Sequence, residues 1–379
     1  MATLQQLLAP QVILESITSR IKQPGDALQR FLGMSLAGGP AVLDNSMYMR
    51  YAAYDIFDSI QDIATFRMPG TGPATRARQG VGQVPVTIPR MHEKVPLMYE
   101  ELGNLRPLGK TSGNIDTGGR DYITRQETIL KQYFQNAREF LCASLLRGAF
   151  TLTQSNENWV ADYSGGEISI DYQIPSGNKS QLNMLAAGSI IAISWDNTAS
   201  AQIFENLLAI NSAYWSLHGW PLEHIWCDSV MWGYVTANTG IKARSGTSNV
   251  VFDEFKRVSN YDDQERARDG FEAKLKCLPM ISWHVYDGGT KVGTSSTFTK
   301  FVPSTAIAGL PTPQPQLYQL LVGGEYVVEQ DGMPATVKRG LNFWPKYTSE
   351  PSRVEIVGLD NAIPISRVPK SQIYGTVVF

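Results

Sequence analysis

The clearest periodicity in the chain predicts one long amphipathic helix over about residues 117–150. Apolar residues recur at steps of three, four and seven along it, at Ile123, Leu130, Phe134, Ala137, Leu141 and Leu145. Polar residues occupy the opposite face, namely Gln126, Lys131, Gln135, Arg138 and Glu139. Asp116 or Thr117 can cap the start, and Gly148 marks the end. At a rise of 1.5 Å per residue the helix is about 45 Å long.

The segment before this helix lacks helical periodicity and is basic. Residues 66–90 read FRMPGTGPATRARQGVGQVPVTIPR, with Arg67, Arg76, Arg78 and Arg90 and no acidic residue. Its glycines and prolines exclude a helix, and those of residues 70–82 are typical of a hairpin tip. The alternation of apolar residues at 84–88 predicts a strand. The more apolar residues 93–102 are expected to dock back on the body of the protein.

An arm of this length, basic and poor in core residues, is unfavourable on a free monomer. We therefore expect it to lie on another subunit, which points to an assembly protein rather than an enzyme. Arginine suits bidentate pairing with carboxylates. Nucleic-acid binding is the alternative for a basic loop, but no lysine accompanies these arginines and aromatic residues are sparse. Pairing with a neighbouring protein subunit is favoured.

The rest of the chain mixes helices and strands, so the predicted fold class is α+β. Residues 1–64 indicate an N-terminal arm with short helices, one of them around Ala27, Leu28, Phe31 and Leu32. Further helices are predicted at 203–215 and 262–276. Strands are predicted at 167–174, 280–286, 297–302, 317–321, 326–329, 353–357 and 375–379. Gly323-Gly324 is expected to form a hairpin turn.

The composition of the chain argues against several classes of protein, among them nucleic-acid-binding, membrane and disulfide-rich secreted proteins. The 379 residues include 33 basic and 35 acidic ones, a net charge of −2, so no global attraction to nucleic acid or anionic membranes is expected. Charged residues make up 18%, below the usual ~25%. Three cysteines form no disulfide framework. The start shows no signal-peptide pattern, and the most apolar run, residues 185–193, is too short to span a bilayer.

No catalytic motif stands out, and neither an enzyme nor a cofactor is predicted. A phosphate-binding loop, a nucleophile elbow and an H-E-x-x-H helix are missing from the sequence. His224, Cys227, Cys277 and His284 could form a zinc site in principle, but their spacing matches no familiar pattern, and buried thiols are favoured. Aromatic residues crowd 214–234, where packing is favoured over a platform for sugars or bases. The mixed charges of 262–269 indicate a solvated helix face, with pairing across an interface as the alternative.

Several segments, in their order, resemble the major capsid proteins of tailed bacteriophages, of the lambda-type capsid protein E family with the Hong Kong 97-like fold. The segments are Gly82-Gln-Val-Pro-Val-Thr-Ile-Pro-Arg90, Glu93-Lys-Val-Pro-Leu-Met-Tyr-Glu-Glu101, Asn104-Leu-Arg-Pro-Leu-Gly109, residues 125–148, residues 297–303 and Pro364-Ile-Ser-Arg-Val-Pro369. The resemblance covers nearly the whole chain, and the order of the segments is more specific than any one of them.

The resemblance implies a division of the chain into five parts. These are an N-terminal arm (1–64), an extended E-loop (65–112), a peripheral domain with the spine helix (113–189), an axial domain (190–330) and a return to the peripheral domain (331–379). Arg67, Arg76, Arg78 and Arg90 would make inter-subunit contacts from the E-loop. Residues 240–246, with Lys242 and Arg244, would form a loop at the capsomer axis.

The resemblance also implies a function and partners. The protein would self-assemble into hexamers and pentamers that form the icosahedral head shell around phage double-stranded DNA. It would assemble in the host bacterial cytoplasm, reside in the virion and contact DNA non-specifically and no membrane. Because only about 65 residues precede the E-loop, a separate scaffolding protein is expected, with a portal and a decoration protein as further partners. Because residues 66–92 lack lysine, the covalent crosslink of the founding phage is not expected.

Two alternatives stay open from the sequence. An encapsulin-like cellular compartment shares the fold and houses cargo enzymes. A carbohydrate-binding protein or enzyme built on the tryptophan-rich section would belong to another class.

Overall fold

The computed structural model describes thirteen stretches of the chain: 27–34, 42–44, 51–56, 82–98, 117–155, 158–163, 165–179, 191–245, 252–257, 270–291, 298–327, 335–349 and 352–379. The chain divides into two compact units, each made of three segments. Unit 1 comprises Met1–Ala52, Val86–Cys142 and Tyr318–Ile365, and unit 2 comprises Ala53–Pro85, Ala143–Leu317 and Ser366–Phe379.

The described elements are mostly short strands. The α-helices are α1 (Ala27–Phe31), α2 (Thr117–Arg147), α3 (Ile203–His218), α4 (Ser229–Ala237) and α5 (Thr239–Arg244). The first strands are β1 (Val42–Asp44), β2 (Tyr51–Ile56), β3 (Gly82–Thr87), β4 (Met91–Met98), β5 (Ala149–Ser155), β6 (Asn158–Asp162), β7 (Ile168–Asp171), β8 (His224–Cys227), β9 (Phe252–Arg257), β10 (Phe271–Leu275) and β11 (Leu278–Val285). The others are β12 (Gly289–Lys291), β13 (Phe298–Lys300), β14 (Ala306–Leu310), β15 (Tyr318–Val322), β16 (Gly324–Val327), β17 (Thr336–Arg339), β18 (Asn342–Ser349), β19 (Ser352–Asp360), β20 (Ala362–Ser366) and β21 (Ile373–Thr376). None of the described helices is long and apolar enough to cross a membrane.

The long predicted helix is confirmed as α2, although it ends at Arg147 and not at residue 150. Gly148 follows with a φ of +89°, and its amide donates to the Ser144 carbonyl. A Cβ at this glycine would lie 2.8 Å from the Lys179 side chain, so the left-handed turn and the close contact both favour glycine. The chain then enters β5 at once, which explains the earlier end.

The polar side of α2 is not a solvent face. Lys131, Gln135, Arg138 and Glu139 are all buried, with Glu139 fully so. Neutralising contacts make this possible, because burying a charge without a partner is costly. Arg138 Nε and Nη2 donate to both carboxylate oxygens of Asp360, at 2.5 and 2.9 Å.

Glu139 holds α1 on the spine helix α2. Its carboxylate accepts the backbone amides of Leu28 and Gln29 at 2.8 and 3.2 Å, and the Gln29 side-chain amide at 3.0 Å. These amides belong to the first turn of α1, where no intrahelical acceptor exists for them. The carboxylate therefore takes the role of a capping residue from 110 and 111 positions away.

The core of unit 1 lies between α2 and a three-stranded antiparallel sheet of order β18-β19-β4. Its buried residues are Leu97, Ile123, Leu130, Phe134, Phe343, Val354 and Ile356. Gly358 on β19 admits the Phe134 ring, to which a Cβ would come within 2.4 Å. Unit 1 also holds the sheet β1-β15-β20 and the pair β16-β17.

The core of unit 2 lies between a six-stranded mixed sheet, of order β21-β14-β8-β11-β10-β9, and the helices α3, α4 and α5. Ile225, Cys227, Trp283 and Val285 point to the helices. The alternating residues of β8 and β11, including His224, Trp226 and His284, point to the other side of the sheet. The smaller sheets are β6-β5-β7 and the pairs β12-β13 and β2-β3.

Two predicted elements are wrong. The helix expected at 262–276 overlaps β10, because Phe271, Ala273 and Leu275 alternate with charged residues at period two; residues 262–269 lie outside the described residues. The hairpin expected at Gly323-Gly324 does not form: β15 pairs with β1 and β20, whereas β16 pairs with β17. The Gly323 amide instead donates to the Asn361 carbonyl.

The other strand and helix predictions are confirmed with shifted ends, as β3, β7, α3, β11, β13, β15, β16, β19 and β21.

Candidate assembly surfaces

The downstream end of the basic arm is fixed in unit 1 by β4. All eight residues of β4 pair antiparallel with β19, from Met91 opposite Asp360 to Met98 opposite Arg353. Leu97 is fully buried in the core of unit 1. Lys94 Nζ on the exposed side donates to Glu355 at 3.1 Å. The expectation that this limb docks back on the body is confirmed.

Of the four arginines of the arm, only Arg90 lies in the described residues. Its guanidinium pairs with Glu325 of the same chain at 2.8 Å and lies 3.1 Å from Nδ1 of His92. The pair is partly exposed, so its contribution to stability is small. Burial and the nearby Arg90 charge lower the pKa of His92. Arg67, Arg76 and Arg78 lie outside the described residues.

The two basic residues expected on an axial loop lie on a helix. Lys242 and Arg244 belong to α5, so the loop prediction is wrong for residues 240–244 of the expected 240–246. Asn238 fixes the start of α5, because its side chain accepts the Ile241 amide at 3.1 Å and donates to two carbonyls. Arg244 bonds Glu205 of α3 and lies over the Phe204 ring at 4.4 Å.

The histidines of the candidate zinc set meet, but the cysteines do not join them. His224 Nδ1 and His284 Nε2 lie 2.9 Å apart, and the His284 ring stacks on Trp226 at 4.7 Å. Cys227 points to the helix side of the sheet within the apolar core. No cluster of three or more metal-ligating side chains occurs among the described residues. Burial and His224 together lower the pKa of His284 to about 3.

The tryptophan-rich section mainly builds the core of unit 2. Tyr214, Trp226 and Trp232 are buried, and Trp232 packs on Trp283. Trp215 differs, since half of it is exposed on the outer side of α3. The section is therefore a packed interior with one exposed tryptophan, and not an open stacking platform.

Sequence reasoning missed a charged network at the start of α4. Lys300 Nζ donates to Asp228 at 2.9 Å and to Asp287 at 2.8 Å, while Asp228 also caps α4 by accepting the Met231 amide. An aspartate directly before an apolar helical stretch is a capping signal. Nothing local indicates the lysine, which lies 72 residues further along.

Comparisons with known proteins agree with the fold. The family model described as phage major capsid protein E matches residues 14–377. A phage-related protein from Bordetella bronchiseptica is 9% identical, with a TM-score of 0.50 over 99% of this chain and 98% of that one. The capsid of Ralstonia phage GP4 is 10% identical, with a TM-score of 0.50 over 96% and 93%. No curated protein sequence matches.

These likenesses confirm the expected α+β, Hong Kong 97-like capsid fold. They do not favour the encapsulin-like or carbohydrate-binding alternatives. The match of the family model over nearly the whole chain decides between the function classes. The chain belongs to the phage major capsid protein E family and is a structural protein of a bacteriophage head shell.

Proposed function

We propose that subunits of this capsid protein join as hexamers and pentamers through the basic arm, residues 65–112, which lies on a neighbouring subunit. The observation that carries the proposal is the eight-residue ladder between β4 and β19, which supports a fixed base for the arm. Residues 66–90 contain no carboxylate of their own. In this proposal Arg67, Arg76 and Arg78 pair with acidic residues of a neighbouring copy.

Arg90 supports the base of the arm in this proposal. Its partner Glu325 belongs to the same unit. Glu325 also accepts a hydrogen bond, at 3.3 Å, from the side-chain amide of Asn361, the residue that follows β19. Arg90 thus fixes the point at which the arm leaves unit 1. The three upstream arginines act on the neighbour.

The five-part division of the chain stays part of the proposal. Residues 190–330 would surround the capsomer centres as the axial domain, and they contribute α3, α4, α5 and five of the six strands of the mixed sheet, whose sixth strand, β21, comes from residues 373–376. Residues 113–189 and 331–379 would form the peripheral domain around α2.

The proposed partners are further copies of the chain, a separate scaffolding protein, a portal and a decoration protein. In this proposal packaged DNA is contacted without sequence preference, and only weakly, since a net charge of −2 gives little counterion release. Assembly in the host cytoplasm is supported by three free cysteines, two of them buried. Reversible DNA binding by isolated subunits is expected to be weak, and tight binding at physiological salt in a gel-shift assay would contradict this part.

Charge reversal in the arm tests the proposal directly. The double change R76E/R78E is expected to abolish shells in negative-stain micrographs, while circular dichroism shows folded subunits. The matched control K291E/K370E makes the same change in net charge at two exposed lysines outside the arm, and it is expected to assemble. Normal shells from R76E/R78E would refute the role of the arm.

The contents of native particles test whether the shell encloses DNA or an enzyme. Particles recovered from cells that carry the phage are expected to contain nuclease-resistant double-stranded DNA. Shells that instead enclose a defined enzyme would support the encapsulin-like alternative.

A further inference from the structure

Four side chains form a continuous hydrogen-bonded chain on the six-stranded sheet of unit 2. The backbone amide of Thr312 donates to the Glu223 carboxylate at 3.0 Å, and the Thr312 hydroxyl donates to the same oxygen. The hydroxyl oxygen lies 3.2 Å from Nε2 of His224. Nδ1 of His224 lies 2.9 Å from Nε2 of His284. We call Glu223, Thr312, His224 and His284 the histidine chain.

The strand register brings the members of the histidine chain together. His224 begins β8 and pairs with Ser282 of β11 and with Leu310 of β14. His284 lies two residues beyond Ser282, so it points to the same side of the sheet as His224. Thr312 lies two residues beyond Leu310. The side chains are therefore held together by three neighbouring strands of one rigid sheet.

The directions of the hydrogen bonds follow from the number of hydrogens available. A carboxylate only accepts, and a threonine hydroxyl has one hydrogen to donate. Because the hydroxyl hydrogen of Thr312 is donated to Glu223, the hydroxyl oxygen accepts from His224, which carries its hydrogen on Nε2. The Nδ1 atom of neutral His224 is then an acceptor, so His284 donates from its Nε2. Every hydrogen in the chain points towards Glu223.

One added proton leaves all of these bonds in place, whereas two do not. When His224 is protonated on both nitrogens, it still donates to Thr312 and now also donates to His284. His284 becomes the acceptor, and its own hydrogen moves to Nδ1. A second proton, on His284, would place two N–H groups against each other across 2.9 Å. The bond between the histidines therefore reverses with the first proton and breaks with the second.

The charged groups near the histidine pair have mixed signs. Glu223 precedes β8, and β10 carries Glu272 and Lys274, all three of which act on His224. On β9, the strand beyond β10, Lys256 pairs with Glu272 and Glu254 pairs with Lys274. The two nearer carboxylates favour a positive charge on the pair, and Lys274 opposes it.

The two protons bind at different pH values. Burial lowers the pKa of His224, and the two carboxylates partly offset this. Burial and the charge of His224 together lower the pKa of His284 to about 3. The first proton therefore enters on His224, and the pair takes up the second only in stronger acid.

We propose that the histidine chain is an acid-responsive latch, in which the first proton reverses the bond between the histidines and the second opens the chain and releases the segment after β14. The latch lies within one subunit and does not depend on the arm or on assembly. Failure of the tests below would leave the proposed function untouched.

The hydrogen positions can be measured by nitrogen NMR of unassembled full-length chain labelled with 15N-histidine. The chain has four histidines, and the variants His92→Gln and His218→Gln identify the signals outside the pair. We expect both paired histidines to carry hydrogen on Nε2 at neutral pH. Once His224 is protonated, the hydrogen of His284 is expected on Nδ1. A His284 that keeps its hydrogen on Nε2 after this step would overturn the proposal.

The amide hydrogen of Thr312 reports whether the latch is closed. Thr312 lies between Pro311 and Pro313, which have no amide hydrogen, so its exchange is measured without neighbours. We expect its protection factor to persist through the first protonation and to fall about tenfold or more with the second. Loss of protection with the first proton would contradict the proposed order of events.

Three variants separate the second proton from other effects of acid. His284→Gln cannot take up that proton, and its amide can donate or accept, so Thr312 is expected to stay protected to a lower pH than in the unaltered protein. His92→Gln is the matched control and is expected to behave as the unaltered protein. Glu223→Gln removes the carboxylate that also titrates in acid, and the loss of protection is expected to remain. Loss at the same pH in His284→Gln and the unaltered protein, or its disappearance in Glu223→Gln, would overturn the proposal.

Discussion

The hydrogen-bonded histidine pair in unit 2 predicts that the subunit loses stability on mild acidification. His284 is partly buried on β11, stacked on Trp226, with His224 2.9 Å away. Burial and the charge that His224 would carry lower the pKa of His284 from 6.5 to about 3. The carboxylate of Glu272 lies on the paired position of β10, and Glu223 and Lys274 also act on His224.

The direction of this change in stability follows from proton binding to His284 in the folded and unfolded states. The unfolded chain protonates this histidine below about pH 6.5, whereas the folded protein stays neutral at this site down to about pH 3. The contribution of neutral His284 to the free energy of unfolding is therefore complete above pH 6.5 and is lost as the pH falls towards 3. Between about pH 7 and pH 4 the loss from His284 alone is about 3 kcal/mol, at 1.4 kcal/mol per pH unit.

The change His284→Phe removes this titration and keeps an aromatic ring beside Trp226. Urea unfolding of unassembled full-length chain, followed by tryptophan fluorescence at about pH 7 and about pH 4, measures the effect of acid on each variant. We expect the unfolding free energy of His284→Phe to fall by about 3 kcal/mol less than that of the unaltered protein over this interval. Carboxylates contribute equally to both proteins and cancel in the comparison.

His92→Phe is the matched control. The pKa of His92 is also lowered, by partial burial and by the charge of Arg90, but most of this residue remains open to solvent. Solvent screening makes its contribution small, so this variant is expected to lose stability on acidification as the unaltered protein does. An equal loss in His284→Phe and the unaltered protein would refute the argument.

Three further changes test the packing of the units, each measured by urea unfolding. Asp360→Ala leaves the buried Arg138 guanidinium without its carboxylate and is expected to cost about 3–5 kcal/mol; a loss below 1 kcal/mol would contradict this. Gly358→Ala brings a Cβ within 2.4 Å of the Phe134 ring and is expected to cost about 1–3 kcal/mol, with no loss as the contrary result. Asn238→Ala removes the cap of α5 and two bonds to carbonyls, at an expected cost of about 1–2 kcal/mol, which an unchanged midpoint would refute.

The sequence predicted elements whose periodicity is local and long. The helix α2 followed from its repeat of apolar residues, and its end followed from Gly148, whose positive φ suits glycine. The strand β3 followed from the alternation at 84–88. In each case the pattern that fixes the element lies within the element.

One wrong element came from a local pattern, whereas the burial of the polar face of α2 depends on distant partners. The charges of residues 262–269 suggested a helix that would continue through Leu275, but the period-two alternation of Phe271–Leu275 forms a strand that pairs with both β9 and β11. The sequence predicted the polar face of α2 but not its burial, in which Glu139 accepts the amides of Leu28 and Gln29. No local pattern encodes a partner more than 100 residues away.

The structure shows where in the chain charged residues are scarce. Charged residues make up 18% of the sequence, and Glu205 is the single Asp, Glu, Lys or Arg residue in α3 and α4 together. The exposed sides of both helices show apolar residues, Trp215 and Val230 among them. A subunit that remained free in solution would gain solubility from charge at these positions. The deficit in charge therefore lies in the helices of unit 2, whereas the proposed contact of the basic arm depends on arginine pairing.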